Sequence, residues 1–306
     1  MKVLFLGTPD FAVPSLKALL DSKHEVVGVV CQPDRALKHG KTEVGAVKTE
    51  ATNHGLKVFQ PVKIREHVDE LKAFNADIAV TAAYGQILTD GVLNAFPYGV
   101  INVHASLLPK YRGASPIQSA IASGEIVTGV TIMKTERGLD TGDILTAVST
   151  PIGEYETAGE LTVRLAEMGA KLLVETLDNY ADITPEKQNG ELATNCRVIS
   201  KEEQFIDFSL DCRAVVNRIR SLSPLPCAKT FINGEQFKIY NALVSDLFVK
   251  AQAGEIVFCK DKLIIACGNG AIEVKTIQAP SKRAMDISDF LRGRKFDVGV
   301  ICAKQP

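Results

Sequence analysis

The chain has 306 residues, 46% hydrophobic and 23% charged, which suits a buried core split over two domains of roughly 100–200 residues and excludes a disordered chain. No run of about 18 apolar residues occurs, so no membrane-spanning helix is expected. Net charge is −1, yet residues 207–306 hold 15 Lys/Arg against 10 Asp/Glu, a net of +5 that leaves −6 for the remainder; an anionic partner for the rear is one reading and ordinary scatter of surface charge the other.

The seven cysteines are odd in number and lack C-x-x-C spacing, so free thiols in a reducing cytosol are expected rather than a disulfide framework or a zinc site. Residues 2–7 form a short apolar run that Thr8-Pro9-Asp10 interrupts, which reads as a first buried strand and not as a secretory segment. Residues 14–20 have apolar positions at helical spacing, 25–31 read as a second buried strand, and Val68, Leu71 and Phe74 place a helix within 66–74. Strands are expected at 77–83, 100–104, 129–133 and 144–148, and a long helix at 158–177 from the stripe Leu161, Leu165, Met168, Leu172 and Leu173. This alternation predicts an α/β, Rossmann-like, mostly parallel sheet with helices on both faces. Beyond Tyr180 the composition turns polar, and short strands at 228–232, 237–243, 254–258, 263–266 and 272–277 are separated by Asn233-Gly234 and Gly268-Asn269-Gly270. They predict a small C-terminal antiparallel β-barrel. The expected division is 1–189, a linker at 190–206, and 207–306.

In such sheets ligands bind at the carboxyl ends of strands. No G-x-G-x-x-G, Walker-type loop or G-x-S-x-G occurs there. Instead Asn102 and His104 share one face of an apolar strand, where an amide and an imidazole are expensive to bury without a purpose. Together they could stabilise a developing oxyanion. A satisfied core histidine is the plainer alternative, and it suffices for His24, His39, His54 and His67. Asp140 lies between Gly138 and Gly142, in a turn that could bring a carboxylate to the imidazole; a surface turn is its plainer reading.

Taken together, Gly7-Thr8-Pro9-Asp10-Phe11-Ala12, the run Asn102 to Pro109, Tyr111 to Gln118, Gly129 to Met133, and Gly138-Leu139-Asp140-Thr141-Gly142-Asp143 resemble the folate-dependent formyltransferases. Ser200 to Glu203 and Gln278 to Met285 extend the resemblance over nearly the whole chain, and point to the branch that acts on methionyl-tRNA. The resemblance implies the formyltransferase fold followed by an OB-like barrel that binds tRNA. It implies formyl transfer from 10-formyltetrahydrofolate to initiator methionyl-tRNA, by direct attack and without a metal, in the cytoplasm, by a monomer with no obligatory protein partner. Asn102, His104 and Asp140 would be catalytic, the first two holding the formyl oxygen. Ser106, Leu107, Leu108 and Pro109 would bind folate, with Tyr84, Gly85, Gln86, Ile87 and Leu88 lining the pterin pocket. Phe11 would touch the methionyl side chain, and Arg35, Lys38 and Lys41 would meet the tRNA. The loop at 33–42 is thinner in positive charge than is usual in the family, with His39 in place of an arginine, and Leu225 stands between prolines where tryptophan is common. Two alternatives remain: a formyltransferase for a small amine, such as a sugar nucleotide or ribonucleotide, and a non-catalytic RNA-binding module.

Overall fold

The computed structural model describes residues 1–36, 42–247 and 250–305. They divide into two compact units, one made of 1–113, 128–150 and 162–196, the other of 114–127, 151–161 and 197–306.

The front half runs β1 (Lys2–Gly7), α1 (Val13–Leu20), β2 (Glu25–Val30), a short antiparallel pair β3 (Arg35–Ala36) and β4 (Thr42–Glu43), then α2 (Ala46–Asn53), β5 (Val58–Phe59) and α3 (Val68–Lys72). It continues with β6 (Ile78–Ala82), α4 (Asp90–Leu93), β7 (Val100–His104), β8 (Arg112–Gly113), α5 (Pro116–Ala122), β9 (Val127–Lys134), β10 (Ile144–Pro151), α6 (Ala158–Asp178) and β11 (Asn195–Cys196). The main sheet has the order β10-β9-β7-β6-β1-β2-β5. Strands β5, β2, β1, β6 and β7 are parallel, and β9 is antiparallel to β7. The chain moves outward from β1 to β5, then returns to β6 on the other side of β1. With right-handed crossovers that reversal puts helices on both faces, and it opens a crevice at the carboxyl ends of the strands. Strand β6 is buried along its whole length and β1 beyond Lys2, as strands covered on both faces must be. Leu4, Leu6, Val30, Leu71, Ala79, Val92, Phe96 and Val100 pack into one of its cores.

The helix read over 66–74 is broken at His67, whose φ of −128° and ψ of 38° separate a 3-10 turn, Ile64–Glu66, from α3. The two strands read at 129–133 and 144–148 extend further, as β9 and β10.

The second unit holds α7 (Cys212–Leu222), β12 (Ala228–Ile232), β13 (Glu235–Val244), β14 (Ile256–Cys259), β15 (Leu263–Ala266), β16 (Ala271–Gln278), β17 (Met285–Asp286) and α8 (Ile287–Gly293). Its antiparallel sheet, in the order β12-β13-β16-β15-β14 with β17 on β16, curls into a half-barrel. Asn233 and Gly234 both have positive φ, 52° and 76°, the backbone that a two-residue turn between β12 and β13 requires. Phe237 is fully buried and meets Phe290 and Phe296 edge-on. Among the described residues no helix is long and apolar enough to cross a membrane.

All seven cysteines are free, and Cys212 is the one that is not fully buried. Burial pushes the thiols of Cys31, Cys267 and Cys302 up to about 12 and that of Cys227 to about 11. At pH 8 each of these is thiolate to only about one part in 10³–10⁴. An aromatic disulfide reagent should therefore label Cys212 rapidly and these four only on unfolding. Native thiols that hold protons more tightly than unfolded ones stabilise the fold fully below about pH 9 and lose that contribution as the pH climbs towards 12. Denaturant titrations across that range should show falling stability; a flat profile would contradict the burial.

Candidate active site

Strand β7 lies between β6 and β9 in the main sheet. Its alternation buries Ile101 and Val103 in the core and turns Asn102 and His104 to the opposite face. Asn102 pairs in register with Thr81 on β6, whose hydroxyl donates to Asn102 Oδ1 at 2.8 Å and to the Ile101 carbonyl at 3.2 Å. The Asn102 Nδ2 group keeps both hydrogens, with no other partner among the described residues.

His104 is 5% exposed. Its Nε2 lies 3.0 Å from the Tyr111 carbonyl oxygen, which can only accept, so Nε2 carries a hydrogen and donates it. Its Nδ1 faces Asp140 Oδ2 at 3.7 Å. Nδ1 is therefore the ring nitrogen that carries the lone pair when the ring is neutral, and it faces the carboxylate. Tyr111 presents its carbonyl from a left-handed backbone, φ 59°, and its N–H donates to Thr194 Oγ1 at 2.8 Å.

Asp140 also sits in the left-handed region, φ 51°, in the turn between β9 and β10. Its Oδ2 accepts from the Gly113 amide at 2.8 Å. The turn closes so tightly that a Cβ on Gly142 would fall 1.9 Å from the Lys134 carbonyl oxygen. Gln188 Nε2 donates to the carbonyls of Asp140 and Gly142, at 2.9 and 2.7 Å, and Gln188 Oε1 accepts from Arg112 Nε and Nη2 at 3.1 and 2.7 Å. The sequence alone gives no role to Gln188, nor to Arg112, which enters only within the stretch Tyr111 to Gln118. They stand 76 residues apart, and neither belongs to a periodic apolar pattern that would mark it.

The remaining expected site residues separate into inward and outward sets. Ser106 is fully buried and its hydroxyl donates to the Lys110 carbonyl at 2.7 Å. Thr131 on β9 donates to the Ser106 carbonyl and accepts from the Leu108 amide, at 2.7 and 3.2 Å. Leu108 is buried too, whereas Leu107 and Pro109 are half-buried. After β6, Tyr84 and Leu88 join the core, and burial lifts the Tyr84 phenol above its usual range. Gln86 accepts from the Ile64 amide at 2.8 Å and donates to the Pro61 carbonyl and Gln32 Oε1, at 3.1 and 3.2 Å. Gly85 has φ 84°, and Ile87 is 86% exposed. Phe11 is half-buried in the turn Asp10–Ala12, just past β1. Arg35 is exposed on β3, while Lys38 and Lys41 fall outside the described residues.

The structure therefore joins His104 to Asp140 directly and puts Asn102 on the same strand face. Phe11, Tyr84–Leu88 and Ser106–Pro109 all follow carboxyl ends of neighbouring strands. His24 is also buried, with Nε2 3.0 Å from Asp178 Oδ1, but it precedes the amino end of β2, away from those strand ends. Burial, followed by the nearby terminal ammonium, lowers its affinity for a proton. Among the described residues no group of three His, Cys, Asp or Glu side chains is placed to hold a metal ion.

The sequence profile described as "Formyl transferase" matches residues 1–177, and that described as "Formyl transferase, C-terminal domain" matches 198–295. The methionyl-tRNA formyltransferase of Agathobacter rectalis is 44% identical over 307 residues, covering 98% of this chain and 98% of its own. Among solved structures, HypX from Aquifex aeolicus in complex with tetrahydrofolic acid aligns with a TM-score of 0.67 at 18% identity over 95% of this chain, which spans about half, 47%, of that one. The N-formyltransferase from Helicobacter canadensis, in complex with folinic acid and dTDP-3-aminofucose, aligns with a TM-score of 0.67 at 21% identity, covering 90% of this chain and 98% of its own. At these identities the two structures share the fold.

Gly142→Ala tests the turn. The added Cβ meets backbone, which cannot step aside, so the variant should lose roughly 1–3 kcal/mol of stability. Amide exchange at Gly113 should accelerate as Asp140 withdraws. Wild-type protection at Gly113 would show that the turn tolerates the methyl group.

Proposed function

The chain belongs to the formyl transferase family, and we propose that it transfers the formyl group of 10-formyltetrahydrofolate to the amino group of methionine on initiator tRNA. The observation that carries this reading is the buried His104, held between the Tyr111 carbonyl and the Asp140 carboxylate beside an Asn102 with a free amide donor end. Kinship over both halves of the chain to an enzyme of that name supports tRNA as the acceptor rather than a small amine.

The chemistry follows from the partners. The neutral amine attacks the formyl carbon, and the carbonyl oxygen gathers negative charge as the carbon becomes tetrahedral. Asn102 Nδ2 donates to that oxygen, an interaction stronger in the transition state than in the ground state. His104 Nδ1 accepts the proton released by the attacking nitrogen, and the Asp140 carboxylate stabilises the imidazolium. The C–N bond to the folate nitrogen then breaks, and that nitrogen takes the proton. His104 Nε2 is engaged by Tyr111, so in this arrangement the ring contributes through charge and proton transfer, and Asn102 is the direct donor to the oxygen. Leu107, Pro109 and Ile87, with the backbone of Gly85, suit a flat heteroaromatic ring and its amide-like edge.

Residues 207–306, with their net +5, would hold the tRNA, together with Arg35, Lys38 and Lys41, while 1–189 carry the chemistry and 190–206 connect them. The same reading puts a monomeric enzyme in the cytoplasm.

His104→Ala should lower turnover roughly 10²–10⁴-fold while tRNA affinity stays within about twofold. Wild-type turnover in the variant would overturn the mechanism. Assaying methionyl-tRNA and amino-sugar nucleotides side by side tests the acceptor, and activity on the sugar alone would overturn it. Neutralising Lys38 and Lys41 together should reduce the salt slope of tRNA binding by roughly 1.4–1.8; an unchanged slope would remove that loop from the interface.

A further inference from the structure

We propose that Gln188, braced by Arg112, is a positioning residue for the reaction: it clamps the backbone that follows the Asp140 Cα, at the carbonyls of Asp140 and Gly142, and so sets the place of the carboxylate. The proposal rests on the formyl-transfer reading above.

The orientation of the Gln188 amide is dictated by its partners. Arg112 has only donors, so the group 2.7 Å from its Nη2 must be the amide oxygen. The Asp140 and Gly142 carbonyls have only acceptors, so the group 2.9 and 2.7 Å from them must be the amide nitrogen. No flipped form satisfies either side. Both Nε2 hydrogens are used, one on the carbonyl of the catalytic residue itself and one on that of Gly142.

Asp140 needs such a hold. Its backbone is left-handed at φ 51°, a region that a side chain with a Cβ enters only where its surroundings over-determine it. The dipeptide Arg112-Gly113 grips the same turn twice. The Arg112 side chain holds it through Gln188, and the Gly113 amide holds the carboxylate directly at 2.8 Å. That dipeptide is itself fixed by its pairing with Asn195 and Cys196 on β11, and a Cβ on Gly113 would fall 2.1 Å from the Cys196 carbonyl oxygen. Gln188 has no bond to Asn102 or His104; its route to the chemistry is the Asp140 turn. At 3.7 Å the His104–Asp140 pair is already long, so a small retreat of the turn would weaken it further.

The test compares Gln188→Ala with Gln188→Glu, the second keeping the shape and the Arg112 contact while turning carboxylate oxygens towards two carbonyls. Each should lower kcat roughly 10- to 100-fold, the scale of a misplaced catalytic group. The KM values for tRNA and folate should stay within about threefold, as expected when only transition-state contacts are lost. Added to Asp140→Asn, Gln188→Ala should cost no more than about twofold further, because both changes act through one carboxylate. Full kcat in both variants, a rise in KM alone, or multiplicative loss in the double variant would each overturn the proposal. Amide exchange at Gly113 is read in parallel, at matched thermal stability, and should accelerate in both variants. That arm needs no activity. If the wild-type protein failed to formylate methionyl-tRNA, the functional reading would fall while Gly113 exchange still decided the clamp, unchanged protection overturning it.

Discussion

A buried imidazole needs polar partners in place of the water it has lost. For His104 the replacement is two-sided, a carbonyl on Nε2 and a carboxylate across from Nδ1. Neither comes from β7. The carbonyl belongs to Tyr111, in the loop that follows the strand, and the carboxylate to the turn between β9 and β10. Much of the local architecture reads as the means of delivering those two groups to one ring. Strand β9 runs antiparallel beside β7 and ends with Lys134 opposite Ile101, so the turn that follows must double back towards His104 to bring Asp140 to the ring.

Delivery works against backbone preference. Tyr111 and Asp140 both hold positive φ, each costing roughly 1–2 kcal/mol relative to the right-handed region. The offsetting bonds come from segments distant in sequence: Thr194 holds Tyr111, and Gln188 holds the Asp140 turn. Polar residues beyond Tyr180 thus count within the first compact unit as far as Cys196. Polar composition reports that a segment has little core of its own; it does not report that its side chains serve another segment's backbone.

That distinction sets what could be read from the sequence. The buried strands are legible because runs such as Val100 to Val103 have few other interpretations, and Asn102 and His104 stand out as polar interruptions on one face of such a run. The hairpin of β12 and β13 is legible because Asn-Gly accepts the positive φ of its turn. Helix α7 is not, because its buried face includes Asn217, Arg220 and Ser221. Arg220 is satisfied there by Asn217 Oδ1 and by the carbonyls of Gly153 and Glu156, partners that no local pattern forecasts. Strand β5, at two residues, and β8 with β11 are too short for any period to register.

The loop motifs hold a further lesson about what a family signature encodes. Within Ser106–Pro109, the serine hydroxyl donates to the loop's own backbone and Leu108 is buried, so two of the four residues shape the loop while Leu107 and Pro109 are half-buried. In Tyr84–Leu88 the division repeats. Tyr84 and Leu88 are core, Gln86 ties its loop to those carrying Gln32, Pro61 and Ile64, and Ile87 is left in the open. An exposed isoleucine at a strand's carboxyl end gives up burial that an apolar side chain would otherwise gain, about 25 cal/mol for each Å² left wet. A ligand with an apolar face would recover that free energy on binding at Ile87. Recurrence of a motif therefore does not separate residues that touch a ligand from residues that hold the ones that do. Burial and hydrogen-bond partners describe the second kind of contact: Ser106, Tyr84 and Gln86 each meet the protein's own backbone or core.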